Sequence, residues 1–324
     1  MVTLRGLSIG FVIGAAMLSA PASSDQSSAV PRIGVLIPPA NAPLEEGLRD
    51  GLRDLGYLDG KNIVIEWRRS AGTAEELRAL AADLARSKVD LIVASGSPAA
   101  RAALAATTLP VVFAPAGDPV ATGFAVSLAR PGGNATGVST LSADLIPKRL
   151  EFLRLVAPRA RRIVYLINPS NPVGARQLEE AQEAARTLGV QLVPLTARNP
   201  DEIDAALRAI PRSNAGGVLV TADLMFLMNK AKVARAIREV RLPAMVPNRE
   251  YLDDGVLMSY GPNLKEVMRR AAVYVDKILR GAKPAEIPIE QVSIVELIID
   301  LRASRSMGIE VPQALLMRAD EVIR

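Results

Sequence analysis

The sequence predicts an α/β protein built from two doubly wound, parallel-sheet lobes. From Arg32 onward, short runs of branched aliphatic residues alternate with amphipathic helical segments, which is typical of parallel strands covered on both faces. The pattern also repeats along the chain. "DLIVASGS", a helix and "LPVVFAPAGDP" in the first half match "GVLVTADL", a helix and "LPAMVPNREYL" in the second. Because ligands of such sheets bind outside the carboxyl ends of the strands, two facing lobes predict a cleft.

The first half contains five predicted strands and at least three helices. The strands are Arg32–Pro38, Asn62–Arg68, Val89–Ser95, Leu109–Pro115 and Asn134–Ser139. One helix is predicted over Leu44–Tyr57, where Leu recurs at helical spacing, and another over Thr73–Ser87, which opens with a Thr-x-x-Glu capping box. The third helix starts at the "SGSP" turn, with Ser97 as the N-cap and Pro98 in the first turn.

The second half repeats this alternation and adds a C-terminal section. A helix is predicted over Ala143–Val156, followed by strands at Arg162–Asn168, Val190–Leu195, Gly216–Ala222, Leu242–Pro247 and Gly255–Gly261. A long helix over Asn263–Gly281, extended chain over Ile287–Leu301 and a last helix ending at Gly308 complete the pattern. Because this section follows both sheets, the chain is expected to cross between the lobes more than once.

The composition excludes several classes of chemistry. The 324 residues contain no His and no Cys, so no Ser-His-Asp or Cys-His nucleophile, disulfide or usual zinc site can form. No phosphate-binding glycine motif follows a strand, and we expect neither a nucleotide cofactor nor a metal. The net charge of +5 is spread over helices rather than concentrated, which argues against nucleic-acid binding.

The N-terminal residues resemble a secretory signal peptide. Arg5 is followed by the apolar run "GLSIGFVIGAAML" and by "APA", so we expect residues 1–22 to be removed and 23–31 to form a flexible leader; cleavage after Ala29 is the alternative. The run is too short for a retained membrane span, and no longer one follows. The mature chain is therefore expected to be exported and not inserted in a membrane.

Candidate ligand-binding residues lie in the loops that follow the strands. Ser95, Gly96 and Ser97 form a turn at a helix start, where hydroxyl and N–H groups can bind a carboxylate; the alternative is an ordinary helix cap. Asp118 and Asp223 occupy loops that follow strands in opposite halves, where each can bind an ammonium group or cap the following helix. The other predicted positions are Asn41, Ala116, Asn168, Ser170, Asn171, Thr221, Asn248 and Tyr260, the last as a cleft wall or as packing at the crossover.

Several separated motifs resemble one protein family. They are "LGYLDGKNIVIEWR", "LARPGGNATGVS", "YLINPSNP", "LMSYGPN", "VDKILRGAKPAEIPIEQ" and "LRASRSMGIEVPQALLMRADEVI". In this order they are similar to ABC-transporter substrate-binding proteins of the group that includes the tryptophan- and tyrosine-binding, TrpX-like members. The resemblance runs from about Arg32 to the C-terminus.

The resemblance implies a type I periplasmic-binding-protein fold, with two Rossmann-like lobes joined by a multi-strand hinge. Lobe 1 would comprise residues 32–141 and about 262–288, and lobe 2 residues 142–261 and about 289–324. It also implies an ABC permease and an ATPase as partners, a periplasmic location without a lipid anchor, and ligand contacts at the loops named above. An amino-acid ligand would present its carboxylate to the Ser95–Ser97 turn and its ammonium group to an Asp.

The predicted function is therefore capture of a small molecule, an amino acid or related carboxylate, by closure of two lobes and its delivery to a permease. Stacked sugars are less favoured because the chain has only one Trp, five Tyr and five Phe. Two alternatives remain at this point. One is an extracytoplasmic sensor subunit that presents its ligand to a receptor, and the other is an exported enzyme that works without His. A LacI-like repressor would need a DNA-binding segment where this chain has its apolar N-terminus.

Overall fold

The computed structural model describes residues 30–39, 42–292 and 294–324. The strands are β1 (Arg32–Ile37), β2 (Val64–Arg69), β3 (Leu91–Ala94), β4 (Val111–Ala116), β5 (Ala135–Ser139), β6 (Arg162–Ile167), β7 (Gln191–Thr196), β8 (Val218–Val220), β9 (Ala244–Val246), β10 (Met258–Gly261), β11 (Glu290–Gln291), β12 (Glu296–Asp300) and β13 (Glu321–Ile323). The helices are α1 (Ala42–Asp54), α2 (Ala74–Arg86), α3 (Ser97–Ala106), α4 (Ile146–Val156), α5 (Gly174–Thr187), α6 (Ile203–Arg208), α7 (Leu224–Met228), α8 (Lys230–Val240), α9 (Leu264–Leu279), α10 (Leu301–Met307) and α11 (Gln313–Leu316).

The first lobe is built on a parallel sheet in the order β11-β5-β4-β3-β1-β2. Alternate residues of β1 explain its two covered faces. Val35 and Ile37 pack with α1 and α9, whereas Leu36, one residue out of phase, packs with α2 and α3. This alternation is what a strand buried on both sides requires.

The second lobe is built on a sheet in the order β13-β12-β10-β9-β8-β6-β7. Its core from β7 to β10 is parallel, as the sequence predicts, but β12 runs antiparallel to β10. The reason is that β12 re-enters this sheet from the other lobe, without the crossover helix that keeps neighbouring strands parallel. The short α11 and β13 were not among the predicted elements. Two doubly wound lobes nevertheless confirm the predicted fold class.

The described residues pass between the two sheets three times. The first passage follows β5 at Ser139, the second follows β10 at Gly261, and the third follows β11 at Gln291. The second passage brings α9 back onto α1 of the first lobe. β11, which pairs with β5, is the last strand of the first sheet before this third passage.

Close packing of α1 against α9 depends on two glycines on one face of α1. A Cβ on Gly47 would lie 2.2 Å from the carbonyl oxygen of Lys265, and one on Gly51 would lie 2.3 Å from that of Arg269. Only residues without a side chain allow the two helices to approach this closely. The first lobe is therefore sealed by a helix that is more than 200 residues away in sequence.

Two predicted helix boundaries need correction. Ser97 is the first residue of α3 and not its N-cap; Gly96 takes that position with a φ of +91°, in the region that glycine adopts without strain. The helix predicted from Ala143 begins at Ile146, after a turn that starts the first passage between lobes. The end of α10 at Gly308 is confirmed, with a φ of +68°. None of the helices in the described ranges has the length and apolar character that crossing a bilayer requires.

Candidate ligand-binding site

The carboxyl ends of the two sheets face each other across a cavity of about 60 Å³. That volume is several times the roughly 10–15 Å³ that one buried water occupies. Loops of both lobes line it: Gly96, Ser97, Pro98, Pro115, Ala116, Gly117 and Thr140 from one side, and Ser142, Arg149, Asn171, Val173, Ala222, Asp223, Leu224, Pro247, Asn248, Pro262 and Leu264 from the other side and the crossovers.

The lobes touch around this cavity through small residues. A Cβ on Gly117 of the first lobe would lie 2.4 Å from Val173 Cγ1 of the second, and one on Gly96 would lie 2.8 Å from Leu224 Cδ1. Neither distance leaves room for a methyl group, so the lobes are in direct contact. The structure is therefore that of a closed cleft.

An ion pair also joins the lobes at the edge of the cleft. Arg176 on α5 donates through Nη1 to Asp118, which follows β4 in the first lobe, and through Nη2 to Asp144 at 2.8 Å. Burial opposes the charge of Arg176, but Asp118, Asp144 and Glu180 outweigh it, and the pKa of the guanidinium is raised. Asp118 Oδ1 also accepts from the N–H groups of Val120 and Ala121. Asp118 thus caps a turn and bridges the lobes, outside the residues that line the cavity.

The Ser95–Ser97 turn is fixed by backbone contacts to neighbouring strands. The N–H of Ser95 donates to Leu36 O and that of Gly96 to Pro115 O, both at 2.9 Å. Ser97 Oγ accepts from the N–H of Gly117 at 2.9 Å, which ties the turn to the loop after β4. Ser95 Oγ is buried and has no hydrogen-bond partner among the described residues. The turn therefore presents one hydroxyl whose bonding capacity is unused.

Asp223 is the buried carboxylate of the second lobe. Its Oδ2 accepts from Asn168 Nδ2 at 2.9 Å and Asn171 Nδ2 at 2.7 Å, and its Oδ1 accepts from the N–H of Met225 at 2.7 Å. Burial raises the pKa of Asp223, although these hydrogen bonds oppose the change. Asp223 caps α7 and also lines the cavity, so the cap that the sequence offered is present, and binding of an ammonium group stays a prediction.

Arg149 on α4 is the residue that sequence reasoning missed. It is 1% exposed; its Nε donates to Tyr260 O at 2.8 Å and its Nη1 to Ser142 O at 3.3 Å. Nη2 has no partner among the described residues, and the side chain lines the cavity. Burial lowers the pKa of Arg149 to about 10, which leaves it charged at neutral pH. The cavity therefore contains an incompletely bonded cation.

A second cavity of about 40 Å³ adjoins the first. The two share Pro98, Asp223 and Leu224 in their linings. The second is mainly apolar, and its other lining residues are Ile37, Pro38, Ser70, Gly72, Leu77, Ser95, Ala99, Asn168 and Met225. The linings of both cavities are thus mainly apolar and share the carboxylate of Asp223; the cation Arg149 lies in the first and the Ser95 hydroxyl in the second.

Most of the residues predicted from sequence surround these cavities, but some do not. Gly96, Ser97, Ala116, Asn171, Asp223 and Asn248 line the first cavity, and Ser95 and Asn168 line the second. Thr221 lies behind them, where its hydroxyl donates to Gln177 Oε1 at 2.8 Å. Ser170 is exposed, and Tyr260 packs edge-on against Phe152 with ring centroids 5.1 Å apart. Asn41 falls outside the described residues.

Within the described ranges, no three acidic side chains lie close enough together to hold a metal ion. The charged residues lining the two cavities are Arg149 and Asp223. The site therefore offers one buried cation, one buried carboxylate and several amide and hydroxyl groups.

Comparison with known proteins identifies the family. The model of the family described as "ABC transporter substrate binding protein" matches residues 33–323. The chain belongs to this family. A curated relative, the tyrosine-binding protein of Clostridioides difficile strain R20291, is 25% identical over 313 residues, which cover 92% of this chain and 90% of that protein.

Solved structures of substrate-binding proteins share the fold. An ABC domain from Streptococcus pneumonia in complex with L-Trp is 25% identical, with a TM-score of 0.84 over 91% of this chain and 100% of that one. The ligand-free, open structure of a substrate-binding protein from Clostridium difficile is 24% identical over 91% and 99% of the two chains, but its TM-score is 0.63. The TM-score is thus higher with the L-Trp complex than with the ligand-free, open structure.

Proposed function

We propose that this protein is the extracytoplasmic solute-binding component of an ABC importer, which captures a small molecule between its lobes and delivers it to a permease and its ATPase. The single observation that carries this proposal is the closed cavity lined by polar groups of both lobes. The apolar N-terminal sequence before residue 23 supports an exported, periplasmic protein.

The ligand class that we propose is an aromatic amino acid or a closely related carboxylate. The tyrosine-binding relative and the L-Trp complex support this class, since both match nearly the whole chain. The site itself supports it as well, because the lining of the combined cavity is mainly apolar and includes one buried cation, Arg149, and one buried carboxylate, Asp223. Of the sequence-predicted residues, those that line the two cavities are the proposed ligand contacts.

The proposed mechanism is a shift between open and closed forms. Each lobe supplies part of the lining, so a ligand is fully enclosed only when the lobes meet at Gly117–Val173 and Gly96–Leu224. A ligand that binds both linings favours the closed form by its difference in affinity for the two forms, and by no more than that. The permease would then bind the closed shape.

Capture requires no covalent step, and the side chains of the site support capture over catalysis. The chain has no His or Cys, and Asp223 already accepts hydrogen bonds from two Asn amides and a backbone N–H. A paired carboxylate, which acid–base hydrolysis commonly uses, does not line either cavity in the part of the chain that the structure describes.

A thermal-shift screen with the purified protein tests the proposal. The probes are L-tryptophan, L-tyrosine, L-phenylalanine, L-leucine and two neutral sugars. A ligand at 100 times its Kd adds about 2.7 kcal/mol to the free energy of unfolding, which for a chain of this size raises Tm by about 5 °C. We expect such a shift with an aromatic amino acid, together with a smaller radius of gyration in X-ray scattering. Recovery of a chemically altered probe would contradict capture, and absence of any shift would contradict the ligand class.

Delivery to a permease has a separate test. Cells with and without the gene are compared for uptake of the radiolabelled amino acid that gives the shift. A specific loss of uptake without the gene supports import, whereas unchanged uptake together with a lost transcriptional response would support a sensor.

A further inference from the structure

The buried guanidinium of Arg149 lacks an anionic partner. No carboxylate of the described residues forms an ion pair with it, and the groups that act on its pKa besides burial are the two phenols Tyr165 and Tyr260. A buried charge without a partner is costly, and proteins almost always pair such groups. The bonds that Arg149 makes to two backbone carbonyls hold it in place but leave Nη2 without a partner.

The carboxylate already present in the cavity does not meet this need. Asp223 accepts from Asn168, Asn171 and the N–H of Met225, and Arg149 is absent from its hydrogen bonds. The guanidinium of Arg149 and the carboxylate of Asp223 therefore bond to different groups and not to each other. An anion that enters the cavity would find one cationic side chain with a free donor, and that side chain is Arg149.

Of the polar side chains that line the second cavity, Ser70, Asn168 and Asp223 have hydrogen-bond partners, and Ser95 Oγ has none among the described residues. Ser95 is 3% exposed and its Oγ has no partner among the described residues, whereas Ile37, Leu77 and Met225 provide hydrocarbon surface. Leaving a buried hydroxyl unbonded costs free energy that a ligand atom can recover. The second cavity thus fits an apolar group that carries one hydrogen-bonding atom.

We infer that Arg149 binds the carboxylate of the ligand, and that the second cavity holds an apolar side chain whose single polar atom bonds to Ser95 Oγ. This inference rests on the proposed function and deepens it, because it assigns an orientation to the ligand. It also revises the expectation that the Ser95–Ser97 turn binds the carboxylate: in this orientation that turn lies at the side-chain end, and Asp223 remains available for an ammonium group.

Matched acids and amides test the carboxylate assignment on the unaltered protein. Calorimetric titrations compare L-tryptophan with L-tryptophanamide, and L-tyrosine with L-tyrosinamide, with glucose and ribose as neutral probes. Losing one partner of a buried charge pair weakens binding by at least about 30-fold, so each amide should be weaker than its acid by that factor. Equal binding of acid and amide would overturn the inference and leave capture intact. Binding of the sugars alone would also overturn the inference. If no probe binds, both the inference and the proposed ligand class are wrong.

A second experiment repeats these titrations on variants of the site. Arg149→Gln should remove the preference for acid over amide, while Arg149→Lys should keep part of it because the charge remains. Arg154→Gln is the matched control, since Arg154 lies on the same helix, also donates to backbone carbonyls and lines neither cavity. Circular dichroism checks that each variant is folded. If Arg149→Gln does not fold, the acid–amide comparison on the unaltered protein still decides.

Ser95→Ala tests the side-chain end. The ratio of affinities for L-tyrosine and L-phenylalanine reports one polar atom, and removal of the hydroxyl should lower this ratio about three- to tenfold, the range for one neutral hydrogen bond. An unchanged ratio would overturn the assignment of Ser95 while leaving that of Arg149 to stand on its own result.

Discussion

Replacement of Gly117 by Ala should hold the cleft partly open. The new Cβ would lie 2.4 Å from Val173 Cγ1, whereas carbon atoms in contact are about 3.5–4.0 Å apart. The lobes would have to separate locally by more than 1 Å, or Val173 would have to turn away. Because Gly117 does not have a positive φ, Ala fits its backbone, and the clash exists only when the lobes meet.

The expected magnitude follows from overpacking, which costs about 1–3 kcal/mol. Since this cost falls on the closed form alone, it should appear as a five- to 150-fold loss of ligand affinity at 1.4 kcal/mol per tenfold. Calorimetric titration with the amino acid that gives the thermal shift measures the loss. The Tm of the ligand-free protein should change little, because the open form has no clash to relieve.

A second substitution makes this prediction refutable. Val173→Ala removes the methyl groups that the new Cβ would meet, so the double variant should recover most of the affinity that Gly117→Ala loses. If Gly117→Ala binds as tightly as the unaltered protein, the lobes do not meet here in the ligand-bound form. If affinity falls but Val173→Ala does not restore it, the contact with Val173 is not the cause.

Three further predictions test other parts of the structure. Arg176→Gln and Asp118→Asn should each weaken ligand binding two- to fivefold, which is about what a partly exposed ion pair contributes. The double variant should bind the ligand no more weakly than either single variant, and additive losses in calorimetric titrations would contradict a shared bond. Urea unfolding should show that Gly51→Ala lowers the free energy of unfolding by about 1–3 kcal/mol, despite the better helix propensity of Ala. Gly133→Ala is the control, because a Cβ there would meet no atom, and it should be nearly neutral; equal effects of the two would refute the close helix contact. Asp300→Ala should lower the free energy of unfolding by about 1–2 kcal/mol at pH 7, because this carboxylate caps α10. Burial would raise the pKa of Asp300, but hydrogen bonds from Arg302 and from backbone N–H groups lower it below 3.8. The contribution of Asp300 to the free energy of unfolding should therefore disappear as the pH falls through that lowered pKa. If Asp300→Ala still lowers the free energy of unfolding in acid, a charge effect is excluded.

The sequence predicts the lobes well because their signals are local. Strands such as Arg32–Ile37 are continuous apolar runs between helices, and the repeat of the two halves follows from the order of elements. The antiparallel β12 was harder to predict, because the direction of a strand depends on which lobe the preceding chain comes from. The contact of Gly117 with Val173 could not be predicted, since it depends on the relative position of two lobes.

The site was predicted in part. Loop residues such as Ser97 and Asp223 were found because strand ends of parallel sheets are general binding positions. Arg149 was missed because it lies inside a helix, among apolar residues. A signal for it was present: it shares the buried face with Ile146, Leu150 and Leu153 at helical spacing, where a basic residue needs a specific partner. Asp118, by contrast, has the same kind of position as Asp223 but forms a bond to the other lobe.

The route of the chain has a consequence for its synthesis. A nascent chain that has reached residue 260 has made β1 to β5, yet the helix that covers Gly47 and Gly51 has not left the ribosome. The apolar surface beneath α9 stays exposed until nine-tenths of the protein exists. We therefore expect the N-terminal lobe to stay unfolded until nearly the whole chain is present, and no single cut in the chain to release a lobe that folds alone.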